Sequence, residues 1–381
     1  MNVSVGLIEK RPAVEVELTG TFTDAAGVSY ASGRHRFVSE VTLSPSDLAT
    51  CAFALDDVTI GIGFHWERKE RQVFRGGMRI IKRDGGLTVI NDVPLEEYVV
   101  SVVSSEMSAS CPLELLKAHA VISRSWLVFP KQNFVSQAEN ARQGEDRHEI
   151  CRWYGREAHP DFDVCADDHC QRYQGITKAF SDAAASAVRA TKGEFLLYEG
   201  RICDARFSKS CGAVTELYST AWENQDIPYL ASVYDGPGAF RSLSGEELIR
   251  TDPPAYCNTR DATLLARILP GFDQETQDFY RWRMDYSPAE LSELIAARIN
   301  VDLGPIVDME ALERGPSGRI YRLKIVGEKD YVVIGKELEI RRALSRSHLY
   351  SSAFVVDKQD GRFVLRGAGW GHGVGLCQIG A

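Results

Sequence analysis

LTVINDVPLEEYVVSVVSSEM, residues 87–107, is where the chain passes from strand to helix, and its reading decides the fold class. Leu87–Ile90 pairs by pattern with Met78–Ile81 across the turn Asp84-Gly85-Gly86, which predicts a β-hairpin. Pro94 then takes a first-turn position, and Glu96 and Glu97 suit the positive end of a helix dipole. From there Leu95, Tyr98, Val99, Val102 and Val103 recur at helical spacing as far as Glu106. Upstream the chain is β-rich: Val14–Leu18 and Val58–Ile62 alternate with period two. Downstream, a second helix is expected from Pro112, capped by Ser110, to about Val128, where Pro130 stops it. A third is expected over about 176–191, then strands at Phe195–Tyr198 and Ile202–Ser208. Residues 243–300 predict at least two helices, and 305–357 predict strands around the turn Ser317-Gly318-Arg319. This order lacks a βαβ rhythm, so the expected class is α+β: a mixed sheet-and-helix catalytic domain carrying a β-rich N-terminal segment.

Bulk composition is consistent with that reading. The 381 residues hold two average domains or one large one, and 44% hydrophobic with 25% charged residues describe an ordinary globular chain. The expected division is a β-rich segment at 1–74 packed on a main domain at 75–381, with a polar insertion at 131–163 and a helical-then-β subregion at 243–345. A net charge of −9 without any Lys/Arg stripe argues against nucleic acid and leaves neutral polymers open. No apolar run reaches the roughly 18 residues a transmembrane helix needs. The first residues alternate like a strand and lack a signal peptide's layout, which leaves two readings: a cytoplasmic protein, or one whose leader has been removed. The nine cysteines are odd in number and mostly scattered, unlike a disulfide-stapled scaffold.

Three constellations carry possible chemistry. Glu106 lies four residues after Val102, eight after Tyr98 and eleven after Leu95, which places its carboxylate on the apolar face of its helix. An inward carboxylate is desolvated and suits a general acid, although a helix-end Glu reaching solvent has the same spacing. On the next helix Lys117 and Arg124 are seven residues apart and share a face, either to bind a ligand or as exposed surface cations. His159, Cys165 and Cys170, with His169 as a further candidate, gather thiolate and imidazole within twelve residues. Such a set suits tetrahedral Zn²⁺, while a Cys165–Cys170 disulfide or two free thiols remain open on spacing. Two glycine-rich segments complete the list: Phe207–Glu216, with Ser210, Cys211 and Gly212, and Gly369–Ala381, with His372, Gly373 and Gln378. Alternate glycines let a ligand approach the backbone, and also make ordinary tight turns.

The blocks VINDVPLEEY (89–98), SEM (105–107) and LKAHAVISRSW (116–126), the SKSCG stretch at 208–212 and the terminal GWGHGVG at 369–375 resemble, in order, the signatures of the SpoIID/LytB family. The resemblance covers about residues 75–381 and implies a peptidoglycan lytic transglycosylase whose catalytic acid is Glu106. It further implies zinc held near the cleft by His159, Cys165 and Cys170, with His169 in reserve. Lys117, Arg124, Ser210, Cys211, Gly212, His372, Gly373 and Gln378 would contact glycan. Two positions depart from the family: Ser108 replaces a proline after the Glu-Met pair, and Ile379 replaces an aromatic residue. The implied partners are peptidoglycan glycan strands and a cell-wall amidase, and the implied location is the cell envelope. Two rival readings follow from the same residues: a non-catalytic amidase enhancer, and a zinc-dependent hydrolase with the Cys/His cluster as its reaction centre.

Overall fold

The computed structural model describes residues 1–63, 67–83, 85–133, 143–146, 148–154, 159–276 and 278–381, with the backbone alone at 131–133, 143–146, 272 and 275. The fold is α+β, and its strands concentrate near the N-terminus as the alternation requires. Contacts divide the chain elsewhere than at residue 74. One unit comprises Met1–Val128, Ala158–Leu196 and Thr263–Gln274; the other comprises Phe129–Glu157, Leu197–Ala262 and Glu275–Ala381. The N-terminal strands stay with the helices because Asn2–Arg11 pairs antiparallel with Gly86–Pro94, the strand that leads into the first helix.

In the first unit a seven-stranded sheet runs Val164–Cys165, Asn2–Arg11, Gly86–Pro94, Gly77–Arg83, Val41–Pro45, Phe22–Asp24, Ser29–Tyr30. A four-stranded sheet adds Gly33–Phe37, Val14–Thr19, Ala52–Ile60 and Arg68–Phe74. Val14, Val16 and Leu18 are buried and alternate with Glu15, as period two demands. The hairpin forms with Arg83 opposite Gly86; Asp84 lies outside the described residues. The segment after Val164–Cys165 is pinned by Tyr173, whose ring stacks on Tyr98 (5.3 Å) and Phe74 (5.9 Å) while its hydroxyl donates to Asn91 Oδ1.

Helix α1 (Leu95–Glu106) buries Tyr98, Val99, Val102, Val103 and Glu106, and its second half also buries Ser101, Ser104 and Ser105. Helix α2 (Leu113–Asn133) begins where expected but runs on through Pro130, so packing outweighs the local cost of about 3 kcal/mol. Helix α3 (Asp182–Ala190) starts later than its composition suggests. The residues before it are used by a strand edge: Ile176 donates its N–H to Val73 O (2.8 Å), and Thr177 Oγ1 accepts from Val73 N (2.9 Å).

Arg124 of α2 is not a surface cation. It is wholly buried and grips both Glu96 oxygens (3.2 and 2.7 Å) and Glu194 O (3.1 Å), so it braces α2 against α1. No face of it is left for a sugar, and its place among the glycan contacts is withdrawn. Arg124→Ala strands Glu96 and leaves a void. The expected cost is about 2–3 kcal/mol, below the figure for a fully buried pair because Glu96 is partly solvated, and a lowered urea midpoint at unchanged slope checks it.

The second unit contains a five-stranded sheet: Gln143–Asp146, Glu149–Cys151, Tyr331–Gly335, Ile320–Gly327, Ile306–Arg314. Part of the expected polar insertion is therefore sheet, while 134–142, 147 and 155–158 lie outside the described residues. A three-stranded sheet (Arg281–Tyr286, Arg362–Ala368, Phe354–Gln359) and the helix Pro288–Ile299 enclose a core of Trp282, Leu291, Ile295, Leu323, Ile325 and Phe354. Ser287 and Glu290 form a capping box at that helix. Within the region expected to be strands, Glu337–Ala343 is helical.

Candidate active site

Glu106 ends α1 with only 7% of its surface exposed, on the apolar face that the spacing assigned. Its Oε1 accepts the backbone N–H of Arg172 (2.9 Å). The Arg172 guanidinium is itself buried, hydrogen-bonded to Asp168 and 3.4 Å from Asp273. Burial lowers its pKa, but the charges of Asp168, Asp273 and Glu106 outweigh that and leave it raised, so this cation is permanent. A buried carboxylate with one fixed donor and a fixed cation nearby is held in place, a precondition for positioned proton transfer. Lys117 sits on the surface of α2, paired with Glu114 (2.8 Å).

The segment that supplies the Arg172 N–H also carries the metal candidates. His159, Cys165, His169 and Cys170 bring their ligand atoms within 4.8 Å of one another. His159 Nε2 lies 3.3 Å from Cys170 Sγ, and His169 Nδ1 lies 3.5 Å from Cys170 Sγ and 3.9 Å from Cys165 Sγ. A tetrahedral zinc with bonds near 2.3 Å to sulfur and 2.0 Å to nitrogen puts such atoms about 3.5 Å apart, so the donor set fits. No disulfide joins Cys165 to Cys170. Hydrogen bonding from Cys170, opposed by burial and aided by both histidines, holds the Cys165 thiol far below its ordinary range. His169 thus stands with the other three as a fourth donor.

Residues 83–198 match the family model of the stage II sporulation protein, a span that holds Glu106, all four Cys/His donors and Arg172. That stretch is a SpoIID domain. The chain is 26% identical over 294 residues to stage II sporulation protein D of Bacillus amyloliquefaciens, covering 77% of this chain and 68% of that one. With stage II sporulation protein D of Bacillus subtilis strain 168 it shares 29% over 154 residues, 38% of this chain and 39% of the other. With an amidase enhancer of the same strain it shares 23% over 296 residues, 74% of this chain but 36% of that protein. Residues 216–375 match a domain of unknown function, DUF8618.

Inside the SpoIID match, the serine that replaces proline has a structural task. Ser108 donates its N–H to Ile268 O (3.0 Å), a bond that proline cannot make, and its hydroxyl meets Ser110 Oγ (2.7 Å). Ser110 in turn donates to Arg267 O (2.7 Å), so the loop behind the acid is tied to 263–274. Ser108→Pro removes the Ile268 bond, for an expected loss of about 1 kcal/mol in chemical denaturation.

The glycine-rich segments lie in the second unit, and the structure gives most of their residues internal work. Ser210, Cys211, Gly212, Gly373 and Gln378 are all buried. Gly373 has φ +77°, and a Cβ there would meet the Arg319 guanidinium at 2.4 Å, so this glycine serves packing and not the approach of a sugar. His372 is half-buried against Trp222 (4.8 Å); its Nδ1 accepts from Val374 N–H (3.0 Å), and the ring also bonds the Phe207 backbone. With its ring committed to the backbone it is structural, and it is withdrawn from the glycan contacts together with these buried neighbours. Ile379 is buried, so no exposed ring is missing there. Sequence reasoning overlooked Arg172, Asp168 and Asp273. Asp168 lies between the two cysteines and Arg172 two residues beyond Cys170, but nothing local distinguishes them from surface charges.

Proposed function

We propose that this chain is a lytic transglycosylase acting on peptidoglycan glycan strands outside the cytoplasm, with Glu106 as the single general acid and base. The carrying observation is the fixed, nearly buried Glu106 carboxylate, anchored by a segment that also gathers four Cys/His donors able to hold a metal. Protonated Glu106 gives its proton to the oxygen between MurNAc and GlcNAc as that bond breaks. The resulting carboxylate is stabilised by the Arg172 N–H and the nearby guanidinium. The sugar's own 6-hydroxyl attacks C1, and Glu106 takes back the hydroxyl proton, which leaves a 1,6-anhydro product. One carboxylate serves both steps, so no second carboxylate at a glycosidase separation is required.

His159, Cys165, His169 and Cys170 would hold Zn²⁺, which supplies rigidity to the segment bearing the Arg172 N–H. Four protein donors close a tetrahedral site, which favours structural zinc over a zinc-dependent hydrolase with an open position. Likeness to an amidase enhancer favours one second reading, in which the chain binds glycan and stimulates a partner amidase. Incubation with purified glycan strands stripped of peptide, followed by mass spectrometry, separates the two. Anhydro-muramyl ends support cleavage. Unchanged strands, with faster peptide release when the chain is added to an amidase acting on intact, peptide-bearing peptidoglycan, support the enhancer.

A further inference from the structure

A second cluster of thiols lies in the other unit and is unused by the chemistry above. Cys211, Asp235, Cys257 and Cys377 bring one ligand atom each within 4.8 Å of all the others. They come from four separate stretches. Cys211 follows the short strand Phe207–Ser208; Cys377 ends Leu376–Cys377, which pairs parallel with it. Asp235 is held by its N–H to Ala213 O (2.8 Å), and Tyr256, next to Cys257, donates to Asp235 O (2.9 Å). All three cysteines are buried, and none is in a disulfide.

The spacing is that of a coordination shell. Two thiolates on a tetrahedral zinc stand about 3.8 Å apart, and a thiolate and a carboxylate oxygen about 3.5 Å. Cys211 Sγ lies 3.7 Å from Cys257 Sγ and 3.5 Å from Asp235 Oδ2. The surroundings are those of anionic sulfur. The Cys211 N–H donates to Cys377 Sγ (3.2 Å). Two guanidiniums hold the loop's carbonyls: Arg319 binds Cys211 O (3.0 Å) and Ser210 O (3.3 Å), and Arg281 binds Gly212 O (3.1 Å). Three thiolates and a carboxylate around a divalent ion carry an excess of two negative charges, which the buried Arg319 and the half-buried Arg281 complement. Gly380 keeps the site open, because a Cβ there would stand 2.2 Å from Asp235 Oδ2.

We propose that Cys211, Asp235, Cys257 and Cys377 form a closed, structural Zn²⁺ site that ties together the strands and loops of the second unit. Three soft thiolates with one carboxylate select zinc over Mg²⁺ or Ca²⁺. With no position open the site stabilises and does not catalyse, and metal binding there is folding free energy. The terminal stretch is thereby fastened to residue 211 although most of the second unit lies between them in sequence.

Zinc content, read by native mass spectrometry after purification without chelator, tests this. Wild type is expected to carry about two zinc ions per chain, and Cys165→Ser/Cys170→Ser about one. Loaded with Co²⁺ in place of zinc, that double variant is expected to show thiolate-to-cobalt charge transfer in the near ultraviolet. A double variant that is folded by circular dichroism yet binds neither metal overturns the site. So does a peptide map linking two of Cys211, Cys257 and Cys377 by a disulfide in protein isolated under reductant. If the double variant does not fold, Cys257→Ser decides: loss of about one zinc relative to wild type supports the site, and equal content overturns it. Because zinc content is read without any glycan, failure here leaves the transglycosylase reading standing, and the reverse also holds.

Discussion

Glu106→Gln is expected to lower release of 1,6-anhydro products by about 10²–10⁴-fold, the usual contribution of a positioned general acid. The substitution is nearly isosteric, and the amide oxygen can still accept the Arg172 N–H that Glu106 Oε1 accepts now. The thermal midpoint should therefore stay close to wild type while the chemistry disappears. Glu106→Asp keeps an acid but draws it back by one methylene, and a result between wild type and Gln is expected from misplacement. Undiminished anhydro product from Glu106→Gln would remove this residue from the reaction. Loss of both product and folding would instead make it a core residue.

Cys165→Ser/Cys170→Ser has the second-largest expected effect. It removes both thiolates from the His159/Cys165/His169/Cys170 set, so about one zinc per chain is lost. The anchor for the Arg172 N–H goes with it, since Cys170 and Arg172 are two residues apart. Glycan cleavage should then fall at least tenfold, because a carboxylate displaced by about 1 Å costs rate steeply. In wild type the same zinc should leave on acidification, as protons compete for thiolate and imidazole, and metal release followed against pH with a colorimetric chelator measures it. Full zinc content in the double variant would show that these cysteines hold no metal.

The parts legible in sequence are those governed by short-range pattern. The hairpin at 77–94, the buried side of α1 with Glu106 on it, and the Cys/His spacing each follow from repeats of two, of about 3.6, or from close ligand spacing. Patterns failed where a local rule met a distant neighbour. Pro130 did not stop α2, and residues 176–177 became a clasp on Val73 instead of the first turn of α3. Gly373, which read as part of a sugar-facing surface, turned out to make room for Arg319, a residue more than fifty positions earlier.

The sequence by itself determined the α+β class, the helix that carries Glu106 and the SpoIID domain at 83–198, because each rests on residues adjacent in the chain or repeated at a fixed period. Only the tertiary structure decided which charges are buried. Arg124 became a brace, Arg172 became the neighbour of the acid, and Asp273 arrived from a segment with no signal of its own. It alone also brought together Cys211, Asp235, Cys257 and Cys377. The physical reason is the same in each case. A charge or thiol far along the chain costs only a slowly growing loop entropy to bring close, so its partner is chosen by complementarity in space and leaves no periodic trace in sequence.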